Sequence, residues 1–571
     1  MKIIYSEIVF FIALAAAFIV EGLGLRGGHQ FVYFLILSVP FFLFTLDFLV
    51  GKPILFPKII TVISLFLFGA LSLSSFFSMN LQSSFERTLL YVAIYYVFIY
   101  TINHSESIKK IFPTLIIFLG VFFSLYSIIL YGFGGSRWPL VPVSAINLVF
   151  SSFPSHNPLG DLLLLPIVII LWQLLTGKSK KLLLLFMFFF PLFLFSYSRS
   201  AYLSLIVVVI YMVVQFLFKK TKSAGSIGGI TIFFVVILST LFFLSTVKEA
   251  DHYPPLAGIK SVLVKNFSLS QSKSFLAERP DYFERATKAI IDRPFFGYGP
   301  GNLSIASLKY SPIPFQSYTS SHNLFFDFFA ETGLVGGTAF VVFLFLIFIK
   351  SRKNSVYFFL LVALFIDFQT FDTFTTYSLL MLFFILIGLV YEENRNSSQS
   401  LRCLLATATI LIVAQMMIFS GLLAKSLTPY RQLQIYPLSH DAMRKIIFRQ
   451  MKVGNYKNVD LYLERYKRFY DGDASSMVDV ANVYLNYDDE KSALIYLTKA
   501  YELHAFEGLD LAERIYWLKL KLSGKEEALK FADSYFQKIR TIRYRGFSTG
   551  FLIEEAKNFC IEVYERCPYN L

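Results

Sequence analysis

The chain contains many long apolar runs, and this feature constrains its fold more than any other. Thirteen runs are long enough, or nearly long enough, to cross a lipid bilayer as helices. They lie at about 5–24, 30–50, 55–77, 86–103, 111–132, 158–176, 182–197, 200–218, 228–247, 324–349, 355–370, 376–391 and 402–424. With 66 Phe among 571 residues and a mean hydropathy of +0.60, the chain is too apolar for a soluble protein of this length. The sequence therefore predicts an all-α, polytopic membrane bundle of about 12–13 transmembrane helices.

The distribution of basic residues predicts the orientation of this bundle. If the N-terminus lies inside, the short inner connectors carry fifteen Lys and Arg residues and the short outer ones carry four. The inner residues are Lys52, Lys58, Lys109, Lys110, Lys178, Lys180, Lys181, Lys219, Lys220, Lys222, Lys350, Arg352, Lys353, Arg395 and Arg402, and the outer ones are Arg26, Arg87, Arg137 and Arg199. Because such an excess marks the cytoplasmic side, the loop at 248–323 and everything after 424 are predicted on the outer face.

Other global features exclude several classes of protein. The formal net charge of +14 partly reflects the inner connectors, and we find no nucleic-acid-binding motif. The first apolar run lacks a small-residue cleavage site, which indicates a retained helix and not a removed signal peptide. Three cysteines argue against a disulfide framework or a thiolate metal site. Cys560 and Cys567 lie roughly 10 Å apart along a helix, too far for a disulfide unless the helix ends between them.

A second domain is predicted where the composition changes abruptly after residue 424. The chain becomes charged, Tyr-rich and helical in period, so we expect a transmembrane domain at 1–424 and an outer helical domain at 425–571. The predicted role of the outer domain is to bind a partner protein, organise a complex or shape access to the membrane site.

The outer domain has the spacing of a tetratricopeptide helix pair of roughly 34 residues, with a turn at 488–491. The packing positions are Ala481, Tyr484, Ala493, Leu497 and Ala500. Segments 454–456 and 524–528 resemble degenerate copies, which favours a short α-solenoid. An unrelated helical bundle is the alternative.

The outer loop at 248–323 contains an amphipathic segment at 278–293. Its apolar stripe is Tyr282, Phe283, Ala286 and Ile290, and its polar residues are Glu284, Arg285, Lys288 and Arg293. Pro280 suits the first turn and Pro294 the end of a helix that lies on the membrane or against the bundle. Arg279 is then expected at the helix N-terminus, where free N–H groups and the dipole favour a phosphate. Alternatively, these arginines contact lipid headgroups or the neighbouring acids Glu278 and Asp281.

Alternate glycines follow this helix at Gly297, Gly299 and Gly301. Glycine permits positive φ angles and close backbone approach. The segment lacks the Lys-Ser/Thr of a phosphate-binding loop and is outside the cell, so it predicts a tight turn that positions the chain leading to His322.

His322 stands immediately before an apolar run and is the candidate general base. Ser320 or Ser321 is expected to cap the helix that begins there. The positive end of that helix would favour the neutral imidazole, which is the form that a base needs. A structural hydrogen-bonding role is the alternative.

Two further outer connectors carry candidate residues. Arg199 lies between two closely spaced apolar runs, where a charge must face a partner or a water-filled cavity unless it snorkels to the headgroups. Arg137 and His156 belong to another outer loop that could line the same cavity. His156, His252 and His322 lack helical i, i+4 spacing, so no metal site is predicted.

Three motifs, in order and on one predicted side of the membrane, resemble the O-antigen ligase and O-antigen polymerase family. They are Ser198-Arg-Ser-Ala201, Arg279 with Tyr282 and Arg293-Pro-Phe-Phe-Gly-Tyr-Gly-Pro-Gly-Asn302, and Ser321-His-Asn323 with Glu331-Thr-Gly333 and Gly336. The resemblance covers roughly 60–390. It implies a metal-independent, inverting glycosyltransferase of the type C class, which uses a glycan on undecaprenyl diphosphate and needs no cofactor or nucleotide sugar.

The resemblance also implies the site. Arg199 and Arg279 would bind the diphosphate, and His322 would deprotonate or orient the acceptor hydroxyl. The supporting candidates are Arg137, Tyr282, Arg285, Arg293, Asn323 and Glu331. The enzyme would act in cell-envelope and lipopolysaccharide biosynthesis in the bacterial cytoplasmic membrane, with the C-terminal domain periplasmic or extracellular.

The acceptor stays open among lipid A core, a growing polysaccharide and a protein. A thirteenth span that exports the C-terminal domain departs from the ligase plan of twelve spans with both ends inside. Two other hypotheses stay open. The first is a polysaccharide-lipid flippase or transporter, for which we would expect charges within the spans and an internal repeat. The second is a membrane scaffold for the solenoid domain.

Overall fold

The computed structural model describes most of the chain as α-helices. The described residues are 5–22, 30–50, 52, 54, 56–132, 157–176, 181–196, 198–218, 272–311, 318–353, 355–369, 376–392, 427–506, 510–541 and 546–569. Within these ranges the only pairing of extended residues is an antiparallel bridge between Ser351 and Tyr391. The prediction of an all-α polytopic bundle is confirmed.

The membrane part is built from apolar helices. They are α1 Tyr5–Gly22, α2 Gln30–Leu49, α3 Lys58–Phe76, α4 Leu81–Asn103, α5 Ser105–Gly132, α6 Asn157–Leu175, α7 Leu182–Phe195, α8 Arg199–Phe218, α11 Leu324–Ile349, α12 Val356–Asp367 and α13 Tyr377–Val390. Among the described residues, α3, α4, α5, α6 and α11 are long and apolar enough to cross a membrane. The predicted spans at 228–247 and 402–424 lie outside the described residues.

Burial within the bundle follows from hydropathy. Helix α6 is apolar on all sides and lies in the interior, where residues such as Leu163 and Val168 are fully buried. Helices α3 and α5 instead present large apolar side chains outward, for example Phe66 and Phe118, which are 58% and 62% exposed. Such a surface suits lipid and would be unfavourable in water.

Two helices of the loop at 248–323 pack near the start of α11. They are α9 Ser272–Asp292 and α10 Leu303–Lys309. The predicted start of α9 near Glu278 was wrong, because Ser272–Ala277 contains no Gly or Pro and continues the same helix upstream. Arg279 therefore lies inside the helix, beyond the first turn in which the dipole acts most strongly.

The C-terminal part consists of successive short helices. They are α14 Pro429–Ile435, α15 His440–Lys452, α16 Tyr456–Phe469, α17 Ala474–Asn486, α18 Glu490–Leu503, α19 Leu511–Ser523, α20 Lys525–Arg540 and α21 Gly546–Tyr564. Helices α15 to α20 pack as three consecutive pairs. Gly454 and Gly524 adopt positive φ angles at the turns of the first and third pairs, and Asp488 does so in the second. The three turns recur about 35 residues apart, while the tetratricopeptide assignment stays a prediction.

Cys560 and Cys567 form a disulfide, which corrects the expectation from their spacing. Helix α21 ends at Tyr564, and Glu565 then adopts a φ of 59°. The reversal brings the two Cα atoms to 5.2 Å, within the range of an ordinary disulfide. The condition for a bridge, a helix that ends between the cysteines, is therefore met.

The C-terminal domain docks directly on the end of the bundle where α4 begins. The Tyr436 hydroxyl donates to Glu86 Oε1 at 2.8 Å, and the His440 backbone N–H donates to Gln82 Oε1 at 2.9 Å. The Gly472 N–H donates to the Met79 carbonyl at 3.1 Å. Met79 also belongs to a hydrophobic cluster that continues into the C-terminal helices, so packing as well as hydrogen bonds joins these helices to the bundle.

Candidate functional site

The start of α11 is capped by Asn323. Its side-chain Oδ1 accepts hydrogen bonds from the backbone N–H groups of Phe325 and Phe326, at 3.0 and 3.2 Å. Its Nδ2 donates to the Gln369 carbonyl at 3.2 Å, which ties the cap to the end of α12. The prediction that Ser320 or Ser321 caps this helix was wrong, because Asn323 is the residue directly before the first turn.

The two serines serve a different purpose, which is to hold the loop that carries His322. Asp327, in the first turn of α11, accepts from the Ser320 hydroxyl at 2.5 Å and from the Ser321 N–H at 2.6 Å. The His322 N–H in turn donates to Ser320 Oγ at 2.9 Å. His322 has a φ of 60°, a left-handed conformation that costs a side-chain-bearing residue roughly 1–3 kcal/mol. The buried Asp327 therefore clamps a strained loop.

The His322 ring lies against α9. Its centroid is 5.0 Å from that of Tyr282, whose ring meets Tyr318 edge to face at 4.1 Å. Burial raises the pKa of Tyr318, so its phenol stays neutral at physiological pH. The structure thus brings two predicted site residues, Tyr282 and His322, into contact.

Arg285 is buried, although the periodicity placed it on the polar face of α9. Its Nη2 is 2.7 Å from Asp281 Oδ2, one turn earlier on the helix, and its Nη1 donates to the Ser307 carbonyl at 3.3 Å. Its guanidinium also lies 4.4 Å from the Tyr318 ring centre. A buried arginine is stable only when paired in this way. These contacts of Arg285 join α9, α10 and the loop that carries His322.

Arg293 and its neighbours fix the end of α9. Arg293 Nη1 donates to the Phe77 carbonyl at 3.1 Å. Asp292 accepts from the Tyr298 hydroxyl at 2.6 Å and from Lys309 at 2.9 Å. Burial alone would raise the pKa of Asp292, but these two hydrogen bonds lower it, so the carboxylate is charged at neutral pH. The pairings hold α9, the glycine turn and α10 together.

The glycine turn inserts into a break in α11. Gly297, Gly299 and Gly301 have φ angles of 68°, 98° and 79°. Gly333 interrupts α11 with φ 66° and ψ −167°. The Gly299 N–H donates to the Glu331 carbonyl at 2.8 Å. Backbone groups freed by the break are satisfied by the turn, as apolar surroundings require.

The buried Glu331, two residues before the break, faces α4. Its carboxylate lies 3.5 Å from the Tyr91 hydroxyl, which is also within electrostatic reach of Arg87. The Arg87 guanidinium is 5.7 Å from the Tyr377 ring centre. We call Arg87, Tyr91, Glu331 and Tyr377 the interhelical polar cluster. Arg87 was predicted only as part of the basic-residue pattern that sets the topology, although a charge beside an apolar run is a sign of such a cluster.

Helix α13 begins at this cluster and is capped from another helix. Glu21, near the end of α1, accepts from the Tyr377 N–H at 2.6 Å and from the Ser378 N–H at 3.2 Å. The fully buried carboxylate thus meets the positive end of a helix. Glu21 was also missed at the sequence level.

The segment that carries Arg199 is fixed by buried acids. Ser198 donates to Asp161 Oδ1 at 3.3 Å, and Asp161 lies next to Asp367 at the end of α12. Gly160 has no room for a β-carbon, which would lie 2.4 Å from Ser198 Cβ. The start of α8 is therefore tied to α6 and α12. Neither acid was predicted, although each interrupts an apolar run.

The predicted diphosphate ligands stay predictions. Arg199 begins α8 and Arg279 lies within α9, but their side chains lie outside the described part of the structure, as does the whole of Arg137. The described residues contain no group of three or more His, Cys, Asp or Glu placed to hold a metal.

These features define a multi-pass membrane helix bundle with a structured polar region at one end, beneath a helical domain. The O-antigen ligase family model matches residues 182–341, which include Arg199, Arg279, His322 and Glu331. This match supports the O-antigen ligase and polymerase family that the motifs predicted. Searches of curated proteins and of solved structures gave no match.

Proposed function

We propose that this protein is an inverting membrane glycosyltransferase. It transfers a glycan from undecaprenyl diphosphate to an acceptor hydroxyl at the outer face of the bacterial cytoplasmic membrane. The observation that carries the proposal is the Asp327 clamp, which holds His322 in a strained loop within the segment that matches the O-antigen ligase family. Strained backbone clusters at functional sites, because folding alone gives no reason to retain it.

In the proposed reaction the acceptor oxygen attacks the anomeric carbon of the glycan. The bond from that carbon to the undecaprenyl diphosphate oxygen breaks, and the diphosphate leaves with the electron pair. His322 accepts the hydroxyl proton or orients the hydroxyl, and Arg199 and Arg279 stabilise the charge on the leaving group. The carrier diphosphate is itself the leaving group, so the reaction needs no nucleotide sugar, metal or other cofactor.

The disulfide supports the proposed topology. Disulfides persist in oxidising compartments outside the cytoplasm, and Cys560 and Cys567 are bridged. The positive-inside pattern independently assigns the C-terminal domain to the outer face. The C-terminal helices contact the start of α4 and share a hydrophobic cluster with Ala330 of α11, which supports an outer location for His322 as well.

The test uses purified protein in nanodiscs with undecaprenyl-diphosphate glycan from the producing cells. Lipid A core, polysaccharide and protein acceptors are added separately, and products are identified by mass spectrometry. Wild type should glycosylate one acceptor class, which distinguishes a ligase from a polymerase and from a protein oligosaccharyltransferase.

His322→Ala should abolish transfer, whereas Thr319→Ala, an exposed residue of the same loop, should retain it. Transfer by His322→Ala at the wild-type rate would remove the assigned role. A flippase would instead move lipid-linked glycan across vesicles without any acceptor product.

A further inference from the structure

A polar pocket of about 500 Å³ lies on the C-terminal domain. Its walls come from one face of α15, α17 and α19, the first helices of the three packed pairs. Arg444, Asp479 and Arg514 follow one another at intervals of 35 residues, each in the first half of its helix. The volume falls in the range of roughly 300–1,000 Å³ that holds small ligands or segments of larger ones.

The polar groups of this pocket are held in fixed orientations. Arg444 Nε and Nη2 donate to the two oxygens of Asp479 at 2.5 and 3.1 Å. Arg514 Nη2 donates to Asn482 Oδ1 at 2.5 Å. Asp479 also accepts from the buried Tyr466 hydroxyl at 3.2 Å. Because these side chains are already ordered, a ligand would bind without the entropic cost of fixing them.

The charge and composition of the lining favour a neutral ligand rich in hydroxyl groups. The lining carries three carboxylates, those of Asp441, Asp479 and Asp510, and each has a basic partner in Lys445, Arg444 or Arg514, so the pocket has no excess charge to attract an ion. Carboxylate, guanidinium and amide groups together supply both acceptors and donors, which matches hydroxyls that are both. Val478, which is half-buried, adds a small apolar surface for the C–H face of a sugar ring.

The pocket adjoins the membrane bundle through one of its lining residues. His440, which also lines it, bonds through its backbone N–H to Gln82 in the first turn of α4. Arg87 and Tyr91 of the interhelical polar cluster follow on the same helix. A chain held in the pocket would therefore lie next to the end of the bundle at which α4 begins.

We propose that this pocket binds a neutral segment of the glycan chain that the membrane site handles. The proposal rests on the proposed function, since that function supplies the glycan. It assigns the C-terminal domain a direct part in substrate binding, namely to keep the chain near the reacting end.

The experiment measures binding to the full-length protein in nanodiscs. The probe is the lipid-free oligosaccharide released by mild acid from the lipid-linked glycan of the producing cells, titrated by calorimetry. The test variant is Asn482→Ala with Arg514→Ala. Its matched control is Asn486→Ala with Arg449→Ala, which are exposed residues of α17 and α15 outside the pocket.

Wild type and control should bind alike, and the test variant should bind at least tenfold more weakly with an unchanged melting temperature. If the test variant is destabilised, the milder Asn482→Asp should still weaken binding. Equal binding by all variants, no binding by wild type, or binding only of peptides would overturn the proposal.

The transfer assay separates this outcome from the proposed function. Transfer without oligosaccharide binding would leave the transferase standing and remove the pocket. Oligosaccharide binding that depends on the pocket, without transfer to any acceptor, would support the pocket and remove the transferase.

Discussion

Replacing Gly333 by Ala should disrupt the junction between α11 and the glycine turn. A β-carbon at this position would lie 2.3 Å from the Phe295 carbonyl carbon and oxygen, where backbone atoms must move. The φ of 66° and ψ of −167° fall in a region that is essentially restricted to glycine, with a cost of roughly 1–3 kcal/mol for other residues. The strain cannot be relieved by rotating a side chain.

The loss should extend to the hydrogen bonds that join the two segments. The Leu334 N–H donates to the Pro294 carbonyl at 2.7 Å, and the Gly299 N–H donates to the Glu331 carbonyl at 2.8 Å. Each is worth about 0.5–1.5 kcal/mol, so the total destabilisation is roughly 2–6 kcal/mol. At about 2–4 °C per kcal/mol for larger domains, the apparent melting temperature should fall by roughly 5 °C or more.

Gly69→Ala in α3 is the matched control, because nothing lies within 4 Å of its added β-carbon. Alanine is favoured over glycine inside a helix by about 1 kcal/mol, so this variant should be as stable as wild type or more so. Both variants are compared by thermal unfolding in detergent and by transfer rate. If Gly333→Ala unfolds and reacts like Gly69→Ala, the inserted turn does not support α11 as described.

Three further predictions concern the loop, α9 and the domain contact. Asp327→Leu should lower the transfer rate at least 100-fold, which corresponds to a rise in the activation free energy of about 2.7 kcal/mol. The reason is the loss of two hydrogen bonds to a charged group, worth about 1.5–3 kcal/mol each. Asp327→Asn should lower the rate less, and equal rates for the two variants would contradict the clamp. Arg285→Met should strand the charge of Asp281 and lower the melting temperature more than Lys288→Met on the exposed face, and the reverse order would contradict the internal pairing. Burial lowers the pKa of His440, although the charges of Asp473 and Asp479 oppose this shift. The neutral imidazole therefore contributes its full stabilisation above about pH 6.5, and this contribution is lost as the pH falls through the lower folded-state pKa. The melting temperature of wild type should fall faster from pH 7 to 5 than that of His440→Gln, and parallel profiles would contradict this.

Hydropathy predicted most of the membrane helices because it reports burial in lipid directly. The start of α6 near Pro158 and of α13 near Thr376 agreed with the apolar runs within a residue or two. The start of α9 was missed because Ser272–Ala277 has no clear amphipathic periodicity. The helix nevertheless extends through this segment, since it contains no Gly or Pro. Periodicity also placed Arg285 outside, since its partners Ser307 and Tyr318 come from other segments.

In the candidate site, too, local motifs were predicted and contacts between distant segments were not. His322 and Asn323 were predicted from one short motif and Tyr282 from the apolar stripe of the amphipathic segment, although the capping role of Asn323 was assigned to a neighbour. The break at Gly333 is filled by the glycine turn that follows α9, and no local pattern predicts that insertion. Glu21 and Asp161 act across helices distant in sequence, so only a charge within or beside an apolar run marked them.

The central claim is that His322 activates the acceptor and is not needed to bind the donor. The most direct measurement follows acceptor-dependent release of undecaprenyl diphosphate by wild type and His322→Ala, with donor binding measured in the same nanodiscs. The account predicts that the variant binds the lipid-linked glycan as wild type does and releases no undecaprenyl diphosphate. The account would be contradicted if the variant released undecaprenyl diphosphate at the wild-type rate, or if it lost both donor binding and release.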